Sequence, residues 1–126
     1  MYRAFGLLQF TSDLSLEEAV TRLRAKFPGY AVSQNDRQIT VAKDAWEIEL
    51  RLNEEPIVLA ESAELAEKIA GTIDGGEIAA CARRIEVWSD TPDPMMEHFN
   101  EFIQVIEVLQ SFRGVIAVDP REPALM

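Results

Sequence analysis

Apolar and polar positions alternate with period two along several short stretches and recur with helical period along longer ones. In WEIELRLN, Trp46, Ile48, Leu50 and Leu52 fall on one side while Glu47, Glu49, Arg51 and Asn53 fall on the other. Strict alternation of this kind belongs to a strand in a sheet with one solvated face, and it predicts antiparallel neighbours. YRAFGLLQF (2–10), the segments 30–34 and 38–42, ARRIEVWSD (82–90) and VIAVD (115–119) read as further strands. Asn35-Asp36 and Lys43-Asp44-Ala45 supply the turns that flank segment 38–42.

Helices are announced by their ends as much as by their faces. Ser15 with Glu18 three residues on is a capping box, and Leu16, Ala19, Val20, Leu23 and Phe27 keep helical spacing until Pro28-Gly29. Over 54–70 the residues Val58, Leu59, Ser62, Leu65, Ala66, Ile69 and Ala70 share a face, with Pro56 in the first turn and Gly71 just past the end. A loop over 72–76 and a short helical turn in EIAAC (77–81) are expected next. Asp93-Pro94 reads as an N-cap followed by proline at the first helical position. From there Met95, Phe99, Phe102, Ile103, Ile106 and Leu109 make a core face, Val105, Val108 and Phe112 widen it, and Gly114 ends the helix. The order β-α-β-β-β-α-β-α-β predicts a single α+β domain over 1–126: a mostly antiparallel sheet of about six strands with two or three helices packed on one face.

Charge changes the picture more than composition does. Twelve Lys and Arg against 22 Asp and Glu leave a formal charge of −10. Such a surface repels phosphate backbones, so nucleic acid is not expected as a direct ligand, and it favours a basic protein partner through electrostatic steering. No stretch approaches the ~18 apolar residues of a membrane-spanning helix. The N-terminal segment alternates like a strand and lacks a small-residue cleavage site, so it is expected to belong to the fold. With Cys81 as the one cysteine, no internal disulfide can form, and a cytoplasmic location is expected.

Little in the chain suggests catalysis. His98 is the sole histidine, no serine sits in a nucleophile elbow, and Cys81 lies in the apolar context IAACA of an inert buried thiol. Phosphate-binding glycine motifs are missing. His98 with Asp90, Asp93 and Glu97 lacks the second His or Cys of a transition-metal site and the spacing of a calcium loop. No catalytic residue, cofactor or metal is therefore expected. Binding chemistry is better represented. Trp88 shares the polar side of its strand with Arg84 and Glu86, and is either covered by a loop, for example the C-terminal tail, or exposed as an aromatic anchor. Between Arg84 and Arg113 there is no Lys or Arg, while Glu86, Asp90, Asp93, Glu97, Glu101 and Glu107 all occur. Surface helices usually mix signs to gain i, i+4 pairs. An unneutralised acidic ridge beside Trp88 is thus expected to meet a basic partner. A second acidic stretch, Glu47 to Glu67, holds seven acids and one Arg.

The segment RRIEVWSDTPDPMMEHFNEFIQVIEVLQSFRGVIAVDP resembles the C-terminal part of small acidic bacterial proteins that include immunity proteins of polymorphic toxin systems. The similar elements are a strand ending in an acid, the D-x-x-M-x-x-x-N-x-[YF] pattern at Asp93, Met96, Asn100 and Phe102, and the closing Gly114, Asp119 and Pro120. They span about a third of the chain. The resemblance implies a cytoplasmic protein that binds and blocks a cognate toxin, and it carries over no interface residue. Two other readings stand beside it. One is a structural module whose wide apolar arc on the last helix is buried in a homodimer; the other is a small enzyme with a carboxylate base.

Overall fold

The computed structural model describes residues 2–69 and 75–126. The elements run β1 (Tyr2–Leu8), α1 (Leu16–Lys26), β2 (Ala31–Asn35), β3 (Gln38–Lys43), β4 (Trp46–Asn53), α2 (Ile57–Lys68), α3 (Gly75–Ala79), β5 (Arg83–Ser89), α4 (Phe99–Gln110), β6 (Val115–Asp119) and β7 (Ala124–Leu125). All strands join one sheet in the order β2-β3-β4-β5-β1-β6-β7, and each neighbouring pair is antiparallel. The α+β class and antiparallel sheet are as the periodicity predicts. The seventh strand is an addition from the proline-rich tail, where Leu125 pairs with Val118 and Ala124 with Asp119.

Helices α1 and α4 lie on one face, over Ala4, Leu8, Ile39, Val41, Ile48, Leu50, Ile85, Val87 and Ala117. Gly6 lets α4 approach closely: a Cβ there would meet Leu109 Cδ1 at 3.3 Å and Val115 Cγ1 at 3.4 Å. The expectation that all helices share this face is corrected. Leu65 and Ile69, with Ile78 and Cys81, pack against Leu7 and Val118, whose side chains point to the opposite face. The reason lies in β1 and β6. AFGLL and VIAV are apolar at consecutive positions, as in strands covered on both sides, whereas WEIELRLN is apolar on one side only. The second face is therefore covered by α2 and α3 toward β1 and β6 and left open toward β2, β3 and β4.

Element ends agree with the expected chemistry in part. Ser15 Oγ accepts the Glu18 N–H at 3.2 Å, and Gly29 takes φ +87° past the end of α1. On α2, Leu59 points to solvent and is not part of the packed face, while Ser62 is buried and donates to the Cys81 carbonyl at 2.7 Å. Gly75 and Gly76 start α3 instead of closing a loop; the expected stop at Gly71 and most of the 72–76 loop lie outside the described residues.

The largest correction concerns α4, which begins at Phe99 and not at Asp93. The Asp93 carboxylate accepts the N–H of Glu97 and of His98, each at 2.9 Å, and the Tyr2 hydroxyl at 2.6 Å. These bonds close a loop tied to β1, with Met96 at φ +54°, so helical geometry cannot start there. Met95, expected in the core, is 78% exposed, and Met96 is 59% exposed. Phe99 packs its ring 5.9 Å from that of Tyr2 but stays partly in solvent. Phe102, Val105, Ile106, Val108, Leu109 and Phe112 are buried as predicted.

Candidate binding site

The solvated side of β4 becomes the middle of an open sheet surface. Register places Gln38 and Thr40 of β3, Glu47, Glu49 and Arg51 of β4, Glu86 and Trp88 of β5 and Arg3 of β1 on this one face. Trp88 stands across from Glu49 on one side and from Arg3 on the other. It is half-buried, and the C-terminal tail does not cover it, because β7 lies at the far edge of the sheet beyond β6. Around the indole is a shallow cleft of about 500 Å³ lined by Gln38, Glu47, Glu49, Asp90 and the Thr91-Pro92 corner. Glu49 Oε2 accepts both Gln38 Nε2 at 2.8 Å and Thr40 Oγ1 at 2.6 Å. That pair of donors fixes the carboxylate beside the indole. Glu47 and Asp90 are exposed, the latter 3.7 Å from Arg3.

Of the residues singled out in the sequence, Glu86, Trp88 and Asp90 belong to this face, but the expected continuous acidic ridge is absent as a single surface. Glu86 is bound by Asn53 and by Arg84, whose guanidinium also reaches Glu61 at 2.9 Å and lies 4.0 Å over the Phe5 ring. Asp93 is engaged inside its loop. Burial works to raise its pKa, but the Tyr2 hydroxyl and the N–H groups of His98 and Glu97 outweigh that and hold it below the usual carboxylate value. Burial and the Asp93 bond push the Tyr2 phenol up to about 12. Glu101 is partly buried and meets His98 Nδ1 at 2.6 Å. Glu97 is exposed, and Glu107 stands near the other end of α4, sharing a groove with Arg22 and Lys26 of α1. Partners that the chain order does not show are supplied in space, by Arg3 for Asp90 and by Arg84 for Glu86.

Sequence reading missed the weight of Glu47, Glu49, Gln38 and Thr40. The signal was there in the polar side of WEIELRLN, but its importance depends on which part of the face the helices leave bare. It also missed the surroundings of His98. The imidazole stacks on the indole of Trp46, ring centroids 4.7 Å apart and planes at 17°. Trp46 is 3% exposed, and its Nε1–H is buried without an acceptor among the described residues. A lone buried donor of this sort costs about 1–3 kcal/mol. Beside this stack lies a second cleft of about 350 Å³, lined by Tyr30, Lys43, Asp44, Trp46, Thr91 and His98. Thr91 and Pro92 form a wall of both clefts.

Neither cleft gathers the partners of a nucleophile. Cys81 lines neither cleft; it is buried in the core beneath α2 and α3, its thiol pushed up to about 11 by burial and by Glu77. Among the described residues no three His, Cys, Asp or Glu side chains converge as a metal-ligand set, and no helix is long and apolar enough to cross a membrane. What the open face offers chemically is an aromatic surface ringed by carboxylates, suited to guanidinium and ammonium groups. Against protein-family models, curated proteins and solved structures the chain has no match.

Proposed function

We propose that this protein is a non-enzymatic acidic binding protein of the immunity type, which captures a basic toxin domain on the open sheet face around Trp88. The observation that carries the reading is a half-buried tryptophan on an uncovered sheet surface with Glu47, Glu49 and Asp90 in the same cleft. A large rigid aromatic supplies anchoring energy, and the carboxylates speed encounter with a basic surface and select its sign. The formal charge of −10 adds long-range steering to the same effect. Most of the apolar arc of α4, Phe102, Val105, Ile106, Val108 and Leu109, is buried within the chain itself, which gives a homodimer through this helix less support than the open sheet face gives a basic partner.

The test is association with the protein encoded by the adjacent gene, followed by surface plasmon resonance across a salt series. Trp88→Ala should weaken the complex by about 30-fold or more, chiefly through faster dissociation. The double change Glu47→Lys with Asp90→Lys should slow association about tenfold at low salt and flatten its salt dependence. Full affinity and an unchanged salt slope in both variants would remove this face from the account.

A further inference from the structure

The second cleft has features that the docking surface does not use. Lys43 and Asp44 stand side by side in the turn between β3 and β4, with Asp44 at φ +55°, and both line the cleft. Neither has an ion-pair partner among the described residues, so one rim carries an open positive and an open negative charge. The Lys43 ammonium sits 5.1 Å over the Tyr30 ring. Tyr30 and Thr91 bring hydroxyl-bearing side chains to the wall. Burial, then the charges of Glu101 and Asp44, push the Tyr30 phenol up, so it remains a neutral donor. Trp46 lies in the same wall with the His98 ring stacked on its indole, and its Nε1–H is buried without an acceptor among the described residues.

We propose that this cleft binds a small dipolar ligand, a free α-amino acid, with its ammonium on Asp44 and its carboxylate on Lys43 and the hydroxyl donors. A carboxylate brings an acceptor to Lys43, Tyr30 and Thr91, and binding there changes the surroundings of the Trp46 indole in the same wall. An anion alone would face Asp44 and Glu101, and a cation alone would face Lys43; a net-neutral ligand with separated charges meets neither repulsion. The cleft volume of about 350 Å³ lies at the small end of the range for ligand sites, which suits a molecule of this size. The proposal is independent of the docking face, which lies across the Thr91-Pro92 wall.

Two tryptophans give the protein two indole N–H signals, which a Trp88→Phe spectrum assigns. Titration of ¹⁵N-labelled protein with each of the common L-amino acids to about 10 mM, a range that captures millimolar affinity, should move the Trp46 signal saturably for at least one of them. For that amino acid, the N-acetyl derivative and the carboxamide each lose one charge and should bind at least about tenfold more weakly. Lys43→Gln should weaken the free amino acid about tenfold and leave the carboxamide unchanged. Asp44→Asn, which tolerates the left-handed backbone, should weaken it likewise and leave the N-acetyl form unchanged. No movement of the Trp46 signal with any amino acid would overturn the proposal. So would equal binding of the N-acetyl form, which marks a plain anion site, or of the carboxamide, which marks a plain cation site.

Discussion

Gly114→Ala is the substitution whose cost can be worked most directly from the geometry. Gly114 has φ +75°, in the left-handed region, where a Cβ costs roughly 1–2 kcal/mol. It also lies against the loop between β1 and α1: a Cβ would come 2.8 Å from Ser12 Cα and 2.9 Å from Ser12 N. These are backbone atoms, and the loop cannot retreat freely. Gln9 N–H donates to the Gly114 carbonyl at 2.9 Å, Arg113 N–H to Asp13 Oδ1 at 2.8 Å, and Asp13 N–H to the Arg113 carbonyl at 3.2 Å. Overpacking of this kind adds about 1–3 kcal/mol, giving roughly 2–5 kcal/mol in all. For a chain of this length that is a fall in Tm of roughly 8–20 °C. Gly29→Ala is the control: Gly29 has φ +87°, but nothing stands within 4 Å of its Cβ position. It should lose only the backbone component, roughly 1–2 kcal/mol. Urea denaturation monitored by circular dichroism measures both. Equal destabilisation by the two changes would show that the Ser12 contact yields at no cost and would refute the close approach of the loop to the α4–β6 turn.

Other consequences follow from the polar contacts. Arg84 holds α2 to β5 through Glu61 and Glu86 with its own side chain 6% exposed, so Arg84→Ala should remove the cation shared by both carboxylates, leave Glu86 with Asn53 alone, and destabilise the fold. Because Glu61 keeps 43% of its side-chain exposure, the loss should be about 2–3 kcal/mol, below that for a fully buried pair; a thermal shift within error of the wild type would contradict this. The Tyr2–Asp93 bond should shape stability at both ends of the pH range. Tyr2 has a raised folded-state pKa, so its contribution is whole below the unfolded value of about 10 and is lost as pH climbs through about 12. Asp93 has a lowered one, so its contribution is present above about 4 and is lost as pH falls through the folded value. Tyr2→Phe, which can keep the ring stack on Phe102, should flatten the stability profile at both ends, and an unaltered profile would show that the bond does not form in solution.

Much of the fold could be read from the chain because the information is local. Period-two alternation in WEIELRLN and period 3.6 in α1 report which side of an element is buried, and the Ser15–Glu18 cap fixes where α1 begins. The acidic excess and the lack of a partner histidine or a nucleophile motif were equally plain in the sequence, and they turned attention toward binding. The start of α4 was misread because Asp93-Pro94 carries good capping chemistry, and only the bond from Tyr2, 91 residues away, turns Asp93 into a loop lock.

Tertiary structure alone decided the rest, since it rests on residues remote in sequence. Local charge counting saw no base between Arg84 and Arg113, yet Arg3 lies near Asp90, and Arg84 and Asn53 reach Glu86. Whether Trp88 was covered depended on where the tail pairs, which no pattern inside ARRIEVWSD encodes. The stack of His98 on Trp46 and the cleft beside it join residues from four separate segments of the chain. Sequence by itself determined most of the strands, the buried faces of α1 and β4 and the sign of the surface, because each depends on neighbours within one or two turns of chain. Which polar face stays open, which acids are neutralised and where the clefts form were settled by strand order and helix placement, because those set which distant side chains share a few ångströms of space.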